Sequence, residues 1–282
     1  MLHVVAADRA RPLAAYLAGV LAEAPDDPLS PEWVAVPSAG MGRWLALELA
    51  HHLGAGAGRS DGVAANIEFR FPGSLRERVL AAGRTAGTDD PWQLERLVWC
   101  ILEVVDARSD DPQLTFLAHP PPGASRFGLA RRVADLFDRY HLHRPDMIRA
   151  WAAERPVDGT ATRLAGHLRW QPHLWRLCRQ RLGVPSPAER LSDLLPQLRD
   201  GQLDVDLPHR LALFGLSQLP GGSGFVELAG ALATRHDVHL LLLEPSTAVR
   251  RRVGGLADPA RTGTRQRADD DSAPVIRHPL LR

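Results

Sequence analysis

The chain has 282 residues, a formal net charge of +1 and 45% hydrophobic residues, enough for about two domain-sized units with buried cores. No run approaches the roughly 18 uninterrupted apolar residues of a membrane span, and Met1 to Val5 lack the basic, apolar and cleavage features of a secretory signal, so a cytoplasmic protein is expected. Every basic residue is arginine, lysine being absent, which excludes Schiff-base chemistry and any phosphate loop that relies on its usual lysine.

In chain order, Leu2 to Val5 predicts a short strand and Arg9 to Ala24 a helix with apolar residues at helical spacing. Pro25-Asp-Asp-Pro ends it. Trp33-Val-Ala-Val-Pro is a second strand, Ser38-Ala-Gly-Met-Gly a tight loop, and Arg43 to Leu53 a helix. A third strand is expected at Ala65-Asn-Ile-Glu-Phe, ending at Pro72. From Pro91 to Leu198 almost every segment has helical period, with breaks at Pro120-Pro-Pro-Gly, Pro156 and Val184-Pro-Ser-Pro. Sheet-like sequence returns at Arg210 to Leu216 and from Asp237 to Pro245, with a crossover helix at Gly224 to Arg235. Near-continuous apolar strands are those of a parallel sheet covered on both faces. The expected architecture is therefore an α/β parallel-sheet domain in two parts, 1–90 and 206–250, interrupted by an all-helical insertion at 91–205. Residues 251–282 turn polar and aperiodic, predicting a flexible loop, and His278-Pro-Leu-Leu-Arg begins an apolar segment that stops short.

The two cysteines, Cys100 and Cys178, sit far apart in apolar helical patterns, which predicts buried free thiols rather than a disulfide or zinc site. The strand–loop–helix at Val34 to Leu53 has the form of a nucleotide site, but Pro37-Ser-Ala-Gly-Met-Gly-Arg-Trp lacks the lysine and the Ser/Thr that bind phosphate and magnesium. The plainer reading makes Ser38 a helix cap. Between Arg126 and Arg190 stand 13 arginines against six acids, a surplus of +7, while the rest of the chain carries 21 bases and 27 acids. A basic module on a slightly acidic carrier suits a polyanionic partner. Phe127, Phe137, Tyr140, Trp151, Trp170 and Trp175 lie among these arginines, as base-stacking residues would, or as core. His51-His52, His141-Leu-His143, Asp110-Asp111 and Asp269-Asp-Asp271 lack further ligands at convincing spacing, so neither a metal site nor catalysis is expected.

Seven stretches in order resemble the RecC family: Leu2-His-Val, Val36-Pro-Ser-Ala-Gly-Met-Gly-Arg-Trp-Leu, Ala65-Asn-Ile-Glu-Phe-Arg-Phe-Pro, Ala134-Asp-Leu-Phe-Asp-Arg-Tyr-His-Leu-His-Arg-Pro-Asp, Trp170-Gln-Pro-His-Leu-Trp, Leu207-Pro-His-Arg-Leu-Ala-Leu-Phe-Gly-Leu-Ser-Gln-Leu-Pro and His239-Leu-Leu-Leu-Leu-Glu-Pro. The closing His278-Pro-Leu-Leu is similar to a further segment of that family, cut midway. The resemblance implies the amino-terminal portion of a RecC subunit, with a superfamily 1 helicase-like, P-loop NTPase-like fold whose ATP site is degenerate. It implies a non-catalytic chain within exodeoxyribonuclease V, the RecBCD helicase–nuclease of double-strand break repair by homologous recombination. There it guides the 3′-ended single strand and scans it for Chi. RecB and RecD are the implied partners, with single-stranded and forked DNA, and ATP and magnesium are used by those partners and not by this chain. The rival readings are a protein-interaction scaffold for RecB without DNA contact and a non-functional truncated remnant.

On the same resemblance, Asp135, Leu136, Asp138 and Arg144 match strand-reading positions, and Arg190 does so if two residues are deleted ahead of Gly183. Arginines suit phosphate or guanine, and carboxylates accept from base amino groups or orient arginines. The plainer reading of Asp135 and Asp138 is helix-surface pairing with Arg131 or Arg139. Pro37, Ala39, Arg43, Phe71 and Glu77 stand at other reading positions and depart from the enterobacterial pattern. Arg43 and Phe71 are retained as DNA-binding candidates, and the resemblance does not fix which hotspot sequence, if any, is read.

Overall fold

The computed structural model describes residues 1–23, 25, 27, 29–54, 62–84, 89–216 and 223–244; the loop expected from 251 and the apolar end at 278–282 lie outside them. The described residues divide into two units, one of residues 1–82 and 195–244 and the other of Gly83–Leu194. The first opens with β1 (Leu2–Ala7), α1 (Ala10–Ala22), β2 (Glu32–Ala35), α2 (Ala39–Ala50), β3 (Ile67–Arg70) and α3 (Gly73–Ala82). The second holds α4 (Leu94–Asp106), α5 (Thr115–Ala118), α6 (Arg126–His143), α7 (Pro145–Ala152), a 3-10 turn at Gly166–Leu168 and α8 (Trp170–Leu182). Helix α9 (Pro187–Arg199) begins there, and the first unit resumes with β4 (Arg210–Leu216), α10 (Ser223–Leu232) and β5 (Asp237–Leu243). Among the described residues no helix is long and apolar enough to cross a membrane.

The five expected strands form one sheet in the order β1-β5-β4-β2-β3, with every pair parallel. Position in the sheet explains their sequences. Central β4 is apolar and buried from Leu211 to Leu216, because both its faces are covered. Edge strands β1 and β3 alternate in burial. On one face, Leu13, Leu17, Leu45 and Leu49 of α1 and α2 pack with Val34, Val36, Phe214 and Leu241. Arg210 ties the end of this layer together: it pairs with Glu32 and donates to the carbonyls of Val20 (2.6 Å) and Glu23 (2.9 Å).

Some elements differ from the sequence reading. Helix α2 spans Ala39–Ala50, so the expected tight loop after Ser38 is its first turn. β3 starts at Ile67, not Ala65, because Asn66 takes a left-handed φ of +56° and anchors its side chain on the Ser30 carbonyl at 2.9 Å. Helix α3 is unanticipated, since Leu75, Val79 and Leu80 are its only buried residues and give too short an apolar pattern.

Three tryptophans dominate the core of the helical unit. Trp175 stacks on Trp92 at 5.7 Å and meets Trp151 edge-on at 6.3 Å. Each indole N–H has an acceptor: Val184 O for Trp92 (3.2 Å), Val157 O for Trp151 (2.7 Å) and His141 Nε2 for Trp175 (3.0 Å). Burying a large ring with its polar edge satisfied is what such a core requires. Cys100 and Cys178 are free and buried in it, as expected, and the Cys100 thiol together with burial holds the Cys178 thiol well above its ordinary range.

Helix ends follow local chemistry. Ser125 caps α6 through Gly128 N at 3.3 Å, and Arg144-Pro145 ends it, because the residue before proline disfavours helix. Ser186-Pro-Ala-Glu189 starts α9 as a capping box: Glu189 accepts from Ser186 N at 2.8 Å while Ser186 Oγ accepts from Glu189 N at 3.4 Å. Glu189 also takes Arg179 Nη2 at 2.7 Å, so its carboxyl stays below the usual range although burial opposes this. Asp111 is likewise lowered by His173 at 2.7 Å. Asp158 is lowered too, because Thr160, Thr162 and Arg144 outweigh its burial. Folded pKa values below unfolded ones stabilise the helical unit above about pH 4 and cease to do so as the pH falls through the folded values. Its denaturant midpoint is therefore expected to hold between pH 5 and 7 and to drop below about pH 4. In Glu189→Gln that acid-side drop becomes smaller.

Candidate nucleic-acid interface

The four matched positions lie along α6 and at its C-terminal end. Asp135 and Asp138 are exposed and Leu136 is half-buried. Asp135 accepts from Arg139 Nη2 at 2.7 Å, one turn on, which is the surface pairing read from the sequence. Arg144 sits where α6 ends and α7 begins. Its guanidinium lies over the Tyr140 ring, 5.6 Å from the centroid, and against Gly159, where an added Cβ would stand 3.1 Å from Nη1. The Tyr140 hydroxyl donates to Gln171 Oε1 at 3.1 Å, and burial raises its pKa against the nearby arginines.

Arg190 has different neighbours. It is 15% exposed and pairs with Asp90 at 2.6 Å. Asp90 also accepts from Arg84 at 3.1 Å and from the backbone N–H of Trp92 at 3.0 Å. Contact of Arg190 with a phosphate requires that pair to open.

Several arginines of the helical unit remain available. Arg131, Arg132, Arg163 and Arg169 are exposed and have no ion-pair partner among the described residues. Residues four apart share a helix face, so Phe127, Arg131 and Asp135 run along one strip of α6. Phe127 is 45% exposed and lies 5.8 Å from Trp99 of α4, itself 60% exposed. Sequence reasoning missed Trp99 because α4 is strongly amphipathic and its tryptophan reads as core. The other interleaved aromatics divide: Phe137, Trp151 and Trp175 are fully buried, whereas Tyr140 and Trp170 are half-buried. A cleft of about 260 Å³ is lined by Glu154, His173, Arg176, Arg179 and Gln180, and Arg179 there is already paired with Glu189.

Arg43 and Phe71 belong to the α/β unit. Strand β2 enters α2 through Ser38, whose Oγ accepts from Met41 N at 3.1 Å, while Gly42 N bonds Ser38 O at 3.1 Å. Ser38 is thus the cap that the plainer reading expected, and it engages the amides of Met41 and Gly42. Gly42 lets the helix approach β3: a Cβ there would stand 3.3 Å from Phe69 Cβ. Arg43 is exposed in the first turn, without an ion pair among the described residues. Phe71, just past β3, is 61% exposed. Both lie beyond the carboxyl ends of parallel strands, where α/β sheets bind ligands. His141 accepts from an indole and His51 and His52 are exposed, so neither histidine pair gathers ligands.

The family profile described as RecC, N-terminal domain, matches residues 2–282. A protein named RecBCD enzyme subunit RecC from Mycobacterium tuberculosis (strain CDC 1551 / Oshkosh) is 39% identical over 99% of the chain and 25% of its own length. Its namesake from Mycolicibacterium smegmatis is 36% identical over 99% and 24%, and that from Escherichia coli K12 is 28% identical over 89% and 22%. The chain thus spans about a quarter of the length of these relatives. The whole-chain profile match and these identities agree with the seven ordered stretches: the chain belongs to the RecC family and corresponds to its amino-terminal domain.

Proposed function

We propose that this chain binds and guides single-stranded DNA without hydrolysing nucleotide, as the amino-terminal part of a RecC subunit in a RecBCD helicase–nuclease. The observation that carries this is the set of exposed, unpaired arginines on the helical unit, set beside the exposed ring pair Trp99–Phe127. Arginines track a phosphate backbone and flat rings receive unstacked bases. Asp135, Leu136, Asp138 and Arg144 are the reading positions on this surface, Arg190 joins them when released by Asp90, and Arg43 and Phe71 are separate candidate contacts on the α/β unit. The relatives' shared name supports RecB and RecD as partners, and the family resemblance implies double-strand break processing as the setting. The α/β unit is read as superfamily 1 helicase-like with a degenerate ATP site, which its parallel sheet and the lysine-free, Ser38-capped loop support. ATP and magnesium then belong to the partner subunits.

The test is single-strand binding by fluorescence anisotropy across a salt series. Each lost phosphate contact flattens the slope of log K against log salt by about 0.7 for a single strand. Arg131→Ala with Arg132→Ala is expected to lower affinity and flatten the slope by about 1.4. An unchanged slope overturns this surface as the DNA path. Trp99 and Phe127 also favour a second reading, in which they seat RecB; retained DNA binding with lost RecB association in Trp99→Ala selects it.

A further inference from the structure

Away from the basic surface, one cluster in the α/β unit has ligand chemistry of its own. β1 and β5 pair so that His3 lies opposite His239, and their rings stack with centroids 4.6 Å apart. Asp237, two residues before His239, faces the same side of the sheet. Its Oδ1 is 3.0 Å from His3 Nε2, and its Oδ2 is 3.5 Å from His239 Nε2. The three ligand atoms lie within 4.8 Å of one another.

His239 is 4% exposed, and its Nε2 is buried without a hydrogen-bond partner. An unmet buried nitrogen of this kind is costly, and here it is directed at a carboxylate. The other ring nitrogen, Nδ1, lies 3.3 Å from the Tyr16 hydroxyl, the kind of outer contact that orients a metal-bound imidazole. His3 and Asp237 are each about one-third exposed, leaving an open side for water.

We propose that His3, Asp237 and His239 form a site for a divalent transition-metal ion of the zinc and cobalt class. Two imidazoles and one carboxylate suit such borderline ions, whereas calcium and magnesium take oxygen donors. Metal–ligand bonds of about 2.0–2.2 Å at tetrahedral angles separate neighbouring donors by roughly 3.3 Å; along two edges of the site the carboxylate meets the two rings at 3.0 and 3.5 Å, one through each oxygen. The third edge closes when the partly exposed His3 ring turns out of the stack. The Met1 ammonium, 3.7 Å from Asp237 Oδ1, is the cation that the metal displaces. A bound ion would then pin edge strand β1 to β5.

Cobalt(II) titration of the protein, followed by its visible d–d absorption, provides the test. One tight equivalent displaced by zinc is expected, together with a zinc-dependent rise in melting temperature. His3→Gln and, separately, Asp237→Asn alter partly exposed side chains and are expected to keep the fold, checked by circular dichroism, yet to weaken binding by at least about tenfold. Absence of a tight equivalent, or an unchanged spectrum and affinity in both variants, overturns the site.

Discussion

Trp175→Ala is expected to destabilise the helical unit by about 3–5 kcal/mol, the range for truncating a fully buried tryptophan. Trp175 has no exposed surface and touches Trp92, Trp151 and His141. Its removal empties the centre of the core and leaves His141 Nε2 without its donor. The change is read by denaturant unfolding monitored through intrinsic fluorescence, because five of the seven tryptophans, Trp92, Trp99, Trp151, Trp170 and Trp175, lie in this unit. The midpoint is expected to fall with little change in slope. Trp175→Phe keeps most of the apolar volume while losing the N–H and part of the bicyclic ring, so it is expected to recover the larger share. A loss below about 1 kcal/mol for Trp175→Ala would contradict a tightly packed centre.

Asp90→Ala is expected to cost about 2–3 kcal/mol, somewhat less than breaking a fully buried ion pair because Arg84 and Arg190 keep 23% and 15% side-chain exposure. One carboxylate serves two guanidiniums and the Trp92 backbone N–H. Its loss therefore leaves three donors short of an acceptor at once. The same variant reports on DNA, provided that binding is measured where the fold is intact. If Arg190 reaches a phosphate, freeing it from Asp90 raises single-strand affinity, and Arg190→Ala abolishes that gain. If Arg190 only braces the start of α9, affinity is the same in both variants and only stability changes.

The α/β class, the parallel sheet and the helical insertion were legible because they rest on local periodicity. The apolar runs at 210–216 and 237–243 are intelligible only as strands covered on both faces. The Ser38 cap was legible for the same reason, since it acts within one turn of chain; the caps at Ser125 and Ser186 are equally local, but the sequence reading did not identify them. Charge asymmetry and the family resemblance pointed to a basic module. Neither shows which arginines are already spent on intramolecular pairs.

That division was made by tertiary contacts. Arg190 meets Asp90 across 100 residues, whereas Arg131 and Arg132 face solvent; nothing in local spacing separates the two cases. Trp99 and Trp175 look alike in an amphipathic helix, yet one is 60% exposed and the other buried. The clearest case is His3, Asp237 and His239. Over 200 residues separate the first from the others, and parallel strand pairing alone brings His3 opposite His239. Sequence determines what each segment can become, since helix and strand preferences act over a few residues. Which side chains meet depends on strand order and helix packing, which join positions that the chain holds far apart.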